Sequence, residues 1–452
     1  MPTRLQTITE TSRNEQITKL LESGTLRRAG VLLNGLRAAD IAHLIESSPP
    51  ASRNVIWTLL GEGRKPKVLK HLGDELQGQF AAVMGSEELA ALSADIETDD
   101  LVDILHQLPE KVTKEVLQSM DSQDRTRITN ALQYPDDCAG GLMNTDTITV
   151  RAMHPVELVL RYLRRHDEIP EDTDRLYVVN RKDQLVGQLP IAKLLVSDPA
   201  NTVREIMQTD IDAVPVNMSE DEVANRFERD NWISAPVVDE SNRLLGRITI
   251  DDVVDIIREN AEHSLMSMAG LDEEEDTFSP VLKTTPRRAV WLGVNLLTTF
   301  IAASVINLFH DAIEKVVALA ILMPIVASMG GVAGTQTLTI VIRGLATKQI
   351  EPHNHRWLFN REFFVSVINA LMWASVVACA TTLWFNDLTM GFIIALAMII
   401  TLITAAVAGV ILPIALKRLN IDPALAGGVV LTTITDVVGF MSFLGLATLA
   451  YA

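Results

Sequence analysis

Basic charge is scarce: 39 Lys and Arg stand against 57 Asp and Glu, a net of −18 over 452 residues. Ten Lys/Arg and seven Asp/Glu leave residues 281–452 at +3, so residues 1–280 carry −21. A surface this acidic repels phosphate, so no nucleic-acid partner is implied. It is either a solvated face or a store of oxygen ligands for hard cations. Cysteine is scarcer still: Cys138 and Cys379 are far apart and have no metal-ligand spacing. No Ser/His/Asp, HExxH or P-loop arrangement appears, which disfavours an enzyme. His353 and His355 flank a loop beside Arg356 and read as surface residues. The stretch from Thr3 to Lys19 is polar where a signal peptide would be apolar, so the amino-terminal part is expected in the cytoplasm.

Long apolar runs, by contrast, fill the carboxyl-terminal part. Five can span a bilayer, which takes about 20 residues: roughly Ala289–Phe309, Val316–Ala346, Phe363–Trp384, Leu388–Leu416 and Ala424–Ala450. Positive loop charge favours the cytoplasm. Lys283, Arg287 and Arg288 precede the first span, Arg343, Lys348, Arg356 and Arg361 lie between the second and third, and Lys417 and Arg418 between the fourth and fifth. The opposite loops hold Lys315 and no basic residue around Asn386–Asp387. The expected topology has the amino terminus inside and the carboxyl terminus outside.

The fifth span contains one carboxylate, Asp436, and no basic residue. An ionised group at bilayer depth costs about 2.5–3.5 kcal/mol or more and normally marks a pathway or cofactor. Thr432, Thr433 and Gly439 share its helix face. Two readings stand: a cation path, or a protonated Asp joining two helices by a hydrogen bond. The second span carries Pro324 and Gly330-Gly331-Val332-Ala333-Gly334-Thr335-Gln336. Glycine at this density permits close helix contact, or a local break that exposes carbonyls. Gly330, Gly331 and Gln336 thus join Asp436 as ion-path candidates.

Residues 1–135 have helical periodicity and a weak 60-residue repeat. Asp40–Ile45 parallels Asp100–Leu105, and Pro49 parallels Pro109, as stacked helix pairs of a small solenoid would. Asp95, Glu97, Asp99, Asp100 and Asp103 crowd one helix start. Favourable placement at the helix dipole and metal binding both account for them.

From Met143 to Ile257 short strands alternate with helices, in two copies of one unit. The first reads strand 147–150, helix 155–165, strands 175–179 and 184–189. The second reads strand 213–216, helix 220–229, strands 235–239 and 243–249. The order and spacing resemble a tandem pair of CBS modules, here residues 136–257. In CBS modules that bind adenine nucleotides such as ATP, a Thr/Ser-x-x-Asp after the last strand meets the ribose. Thr249 and Asp252 match it, whereas the first copy has Pro190 and Lys193. Capping of the following helix is the alternative role. One amphipathic helix then runs from Asp251 to Gly270, followed by the acidic stretch Asp272–Asp276 and by Pro280 and Pro286.

The whole chain resembles the MgtE family of magnesium channels. The carriers are Tyr134–Met143 at the junction to the CBS pair, Met323-Pro324 with the glycine-rich run, and Asp422-Pro423-Ala424 followed by Thr435-Asp436-Val437-Val438-Gly439. The resemblance implies a multidomain protein: an all-α helical-repeat domain (1–135), an α/β CBS pair (136–257), a connecting or plug helix and linker (251–280), and an all-α transmembrane domain of five helices (281–452). It implies a homodimer in the cell membrane with its pore on the dimer axis, importing Mg2+ or another divalent cation such as Co2+. Cytoplasmic Mg2+ would close the pore through Asp99, Asp103, Asp252, Asp255 and Glu259. The chain departs from the family at Val332, where Asn is common, and in the connecting helix. There Asn260, His263 and Ser264 are neutral, which predicts weaker closure by Mg2+. A proton- or sodium-coupled transporter would use Asp436 as its coupling acid, but no inverted repeat is visible. A CBS-based membrane sensor without transport is the third class.

Overall fold

A computed structural model describes residues 26–92, 96–165, 169–170, 172–271, 277–279, 281–351 and 353–451, with Ile17 and Lys19. Asp95, Asp272–Asp276, Pro280 and most of the polar Thr3–Lys19 stretch lie outside them, as does the Lys283 side chain. The chain divides into two compact units, with the break at Asn260/Ala261.

The first unit begins with short helices, and the 60-residue repeat is visible in them. Helix Ala38–Glu46 corresponds to Thr98–His106, and helix Pro50–Leu59 to Glu110–Ser119. Pro49 and Pro109 both sit at the N-cap of the second helix of their pair, where a missing N–H costs nothing. Ile41, Ala42, Leu44 and Ile45 are buried in one copy, and Leu101, Val102, Ile104 and Leu105 in the other. All join one core with the stacked rings of Trp57 and Phe80, 4.5 Å apart.

Two three-stranded sheets follow. In one, β1 (Thr149–Val150) is parallel to β2 (Arg175–Val179), which is antiparallel to β3 (Leu185–Pro190). In the other, β4 (Val214–Pro215), β5 (Ser234–Val238) and β6 (Leu244–Thr249) repeat that order. The first strand of each copy is shorter than the alternation predicts. The junction folds onto the second sheet's module: Ala139 N–H donates to Met218 O at 2.8 Å and Gly140 N–H to Val216 O at 2.9 Å. Gly140 lies so close under the Tyr134 ring that an added Cβ would approach it to 2.5 Å, which explains a glycine there.

The connecting helix, Ile250–Met268, ends at Gly270, whose φ of +70° is costly for other residues. In the second unit, five helices are long and apolar enough to cross a membrane: Thr284–Asn307, Ala318–Ala346, His355–Phe385, Leu388–Arg418 and Pro423–Tyr451, here spans 1 to 5. Pro286 lies in the first turn of the first span, within a helix that runs Val281–Asn307. Asp387 and Asp422 cap spans 4 and 5, accepting from Thr389 N–H and Ala424 N–H at 2.8 Å each.

Candidate functional site

The acidic helix start meets the end of the second sheet's module through a chain of hydrogen bonds. Asn144 N–H donates to Arg247 O at 2.8 Å, in an isolated bridge between the junction and β6. The next residues reach the helical domain: Thr145 Oγ1 donates to Thr98 Oγ1 at 3.1 Å, and Thr98 Oγ1 to Asp146 Oδ2 at 3.3 Å. Arg127 holds the other Asp146 oxygen at 2.6 Å. Thr98 opens helix Thr98–His106, so these bonds fix where Asp99, Asp100 and Asp103 point.

The result is an acidic cavity of about 200 Å³ within the first unit. Asp74, Asp99, Asp100, Asp103, Asp252, Asp255 and Glu259 line it, against Lys70, His71 and Arg258. Lys70 Nζ stands 3.8 Å from Asp100, and Arg258 3.3 Å from Asp255. Oxygens of Glu97, Asp99 and Asp100 lie within 4.8 Å of one another. Burial, then the Asp252, Asp100 and Glu97 carboxylates, hold buried Asp99 well above the usual carboxylate range. Burial followed by Asp251 and Asp100 pushes Asp252 up to about 8. Burial, with Asp100 next, takes Glu97 to about 7. Glu259 also reaches about 7, through desolvation and then Asp74 and Asp255, although its side chain touches solvent. Asp103 is likewise raised by desolvation and then by Asp136, while keeping a solvent-facing edge. Carboxylates that outnumber their cations in this way offer oxygen donors of the kind a hard divalent ion takes.

The repeat supplies an internal contrast. Arg37 and Glu97 are the N-cap residues of equivalent helices. Arg37 binds Asp40 at 2.9 Å and lowers its pKa, chiefly by that hydrogen bond. In the second copy Glu97 replaces the arginine, Asp99 replaces Ala39 and Asp103 replaces His43. Helix-dipole stabilisation of first-turn acids is available to both copies; it does not account for a buried Asp99 facing Asp252.

Thr249 is buried, and it donates through Oγ1 to the carboxylates of Asp251 and of Asp252, the latter at 3.1 Å. Thr249 N–H also reaches Asp252 Oδ2 at 3.4 Å. The two residues thus close the start of the connecting helix and turn Asp252 to the acidic cavity. This is the helix-capping role that stands as the alternative to ribose contact. The sequence singled out Asp99, Asp103, Asp252, Asp255 and Glu259, and the cavity gathers all five. It named Glu97 and Asp100 only within an acidic run, and it missed Asp74, an ordinary first-turn acid of helix Asp74–Ala81.

In the second unit Asp436 is half-buried and makes no hydrogen bond or ion pair with any described residue. The Thr432 hydroxyl donates to Gly428 O at 3.1 Å and Thr433 to Val429 O at 2.7 Å. Each hydroxyl proton is spent on its own helix, leaving oxygen lone pairs to accept from the water shell of a cation. Span 2 is one helix through Pro324 and all its glycines, which corrects the alternative of a local break with freed carbonyls. Gly330 and Gly334 serve close packing. A Cβ on Gly330 would meet Thr401 Cγ2 at 2.6 Å, and one on Gly334 would meet Leu431 at 3.0 Å. Gly439 is buried against Val326 and Thr401. Gly331 has open space beside it. Gln336 lines a separate cavity to which span 5 contributes no residue.

Comparison with known proteins matches this division. A family described as "Divalent cation transporter" matches residues 323–446, the "MgtE intracellular N domain" matches 36–137, and the CBS domain matches 139–196 and 203–259. The crystallised cytosolic domain of the Mg2+ channel MgtE in complex with ATP is 30% identical, with a TM-score of 0.50; the match covers 54% of this chain and 99% of that one. The chain belongs to the MgtE family. Magnesium transporter MgtE of Bacillus subtilis (strain 168) is 29% identical over 429 residues, 95% of both chains. Magnesium transporter MgtE of Thermus thermophilus is also 29% identical, over 95% of this chain and 96% of its own. This MgtE-family chain is therefore a membrane protein of a divalent-cation transporter family, with a cytosolic-type helical domain and a CBS pair.

Proposed function

We propose that the protein imports Mg2+ across the cell membrane, down its electrochemical gradient, and that Mg2+ bound in the acidic cavity closes the path. The observation that carries the first part is Asp436, a carboxylate in mid-span with no partner among the described residues of its own chain. A structural hydrogen bond, the competing reading, needs a partner that the described residues of this chain do not supply. In a homodimer two Asp436 carboxylates face one ion near the axis, and Thr432 and Thr433 accept from its waters. Mg2+ keeps its hydration tightly, which suits such water-mediated contact; Co2+ is a candidate second cargo. The amino terminus and residues 1–257 lie in the cytoplasm in this scheme, with the carboxyl terminus outside, as loop charge requires. Residues 1–135, 136–257, 251–280 and 281–452 act as its four working parts. The ATP-bound relative supports an adenine nucleotide in the CBS pair, and no step of this scheme runs through one.

Flux of Mg2+ into liposomes holding the full chain tests the reading. Asp436→Asn is expected to abolish uptake, with insertion and oligomeric state unchanged. Undiminished uptake in that variant would refute the pore assignment. Uptake that appears only with an imposed proton gradient would replace the channel by a coupled transporter, and its absence in the unmutated protein would leave the sensor.

A further inference from the structure

Spans 2 and 3 barely touch each other; both pack on span 4. Between them lies a cavity of about 440 Å³ to which Asp436 contributes no wall. Its wall on span 3 holds Glu362, Ser366, Asn369 and Trp373, at the three- and four-residue spacing that makes one helix face. Gln336 faces them from span 2. Glu362 to Trp373 is eleven residues, about 16 Å of helix at ~1.5 Å per residue. The cavity therefore extends deep along span 3.

Glu362 is the notable member. Its side chain is only 6% exposed, and the Arg361 Nη1 contact at 2.5 Å comes from a half-exposed side chain. Burying a carboxylate is costly unless it is paired or works on an ion. Ser366 Oγ donates to Leu402 O at 2.7 Å, so its lone pairs are left to accept. Glu362 oxygens, the carboxamide oxygens of Gln336 and Asn369, and Ser366 Oγ thus form an oxygen-acceptor set. Six waters at ~30 Å³ each occupy about 180 Å³, which the cavity accommodates. Hard-oxygen acceptors around such a volume match a hydrated divalent cation, whose waters all donate outward.

We propose that this cavity is a second divalent-cation station, with Glu362 supplying its charge and Arg361 as the counter-ion that the ion displaces. The choice of ion rests on the transporter reading, but the site does not use Asp436. Trp373 in its wall provides a local reporter. In the full chain in detergent, tryptophan emission is titrated with Mg2+ and with Mn2+, a quencher. A saturable component is expected that disappears in Trp373→Phe. Glu362→Gln, which keeps shape and removes charge, is expected to raise its midpoint about tenfold or more, the scale of one lost charge-assisted hydrogen bond. Asp436→Asn is expected to keep it while losing flux, which separates this proposal from the pore reading. A Trp373 component insensitive to divalent ions would overturn the station. So would one unchanged by Glu362→Gln, or one that follows pH alone.

Discussion

At the scale of single residues, the acid cavity stores a conflict between charge and burial. Glu97, Asp99 and Asp252 have folded-state pKa values above those of the unfolded chain, so the folded state binds more protons between the two. Stability from these groups is complete below about pH 4, the ordinary carboxylate range. It is lost progressively as pH rises through their folded values, about 7 for Glu97 and about 8 for Asp252. A divalent ion binds the deprotonated form and reverses the loss. Without Mg2+, the melting temperature of the first unit should therefore fall from pH 5 to pH 8, and the increment gained from added Mg2+ should grow over the same interval. Differential scanning fluorimetry of the full chain reads both. An increment independent of pH would mean that these acids are not the ligands. Asp99 and Asp252 could be nominated from local sequence, but their encounter could not. They are 153 positions apart in number, and the Thr98–Asp146 and Asn144–Arg247 bonds that join them involve polar residues with no periodic signature. Glu362 escaped notice for the opposite reason: beside Arg361 it reads as a surface pair, and only the packing of span 3 reveals its burial.

At the scale of elements, the sequence was most legible where periodicity is strong. β2 runs Arg175–Val179 as the alternation predicts, and each span lies where its apolar run does. The glycine-rich segment was ambiguous because glycine permits both a break and a close approach. The neighbouring helices decide between them. Thr401, Thr435 and Leu431 occupy the space that side chains at Gly330 and Gly334 would need, and spans 2, 4 and 5 meet there. In a bilayer such contact is held by van der Waals packing, since lipid is as apolar as the helices. Gly330→Val should therefore act on folding rather than on ion contact. Thermal aggregation of the solubilised protein should begin several degrees lower, by an order-of-magnitude reading of 1–3 kcal/mol for an overpacked core. Gly331→Ala, with open space around it, should leave that onset unchanged. Equal onsets for the two variants would show that the close packing at Gly330 contributes nothing to stability.

At the scale of the whole molecule, a divalent ion acting on the first unit is expected to be felt as a change in its compactness. Limited proteolysis of the full chain with and without Mg2+ measures it. The duplicated helix pairs allow the chain to be used as its own reference. Two copies of one scaffold hold the same buried apolar positions, yet the first closes its N-cap with Arg37 on Asp40 and the second leaves Glu97, Asp99 and Asp103 without such closure. The earlier copy is thus a blueprint for a cation-blind version of the later one. Writing it in as Glu97→Arg, Asp99→Ala and Asp103→His should give a domain whose protease pattern no longer changes with Mg2+ and resembles the ion-protected one. Retained Mg2+ protection in that triple variant would move the ligand set elsewhere. One repeat thus stands as a control for the other, and the neutral version of the acidic helix start can be read, and reinstalled, from a neighbouring stretch of the same polypeptide.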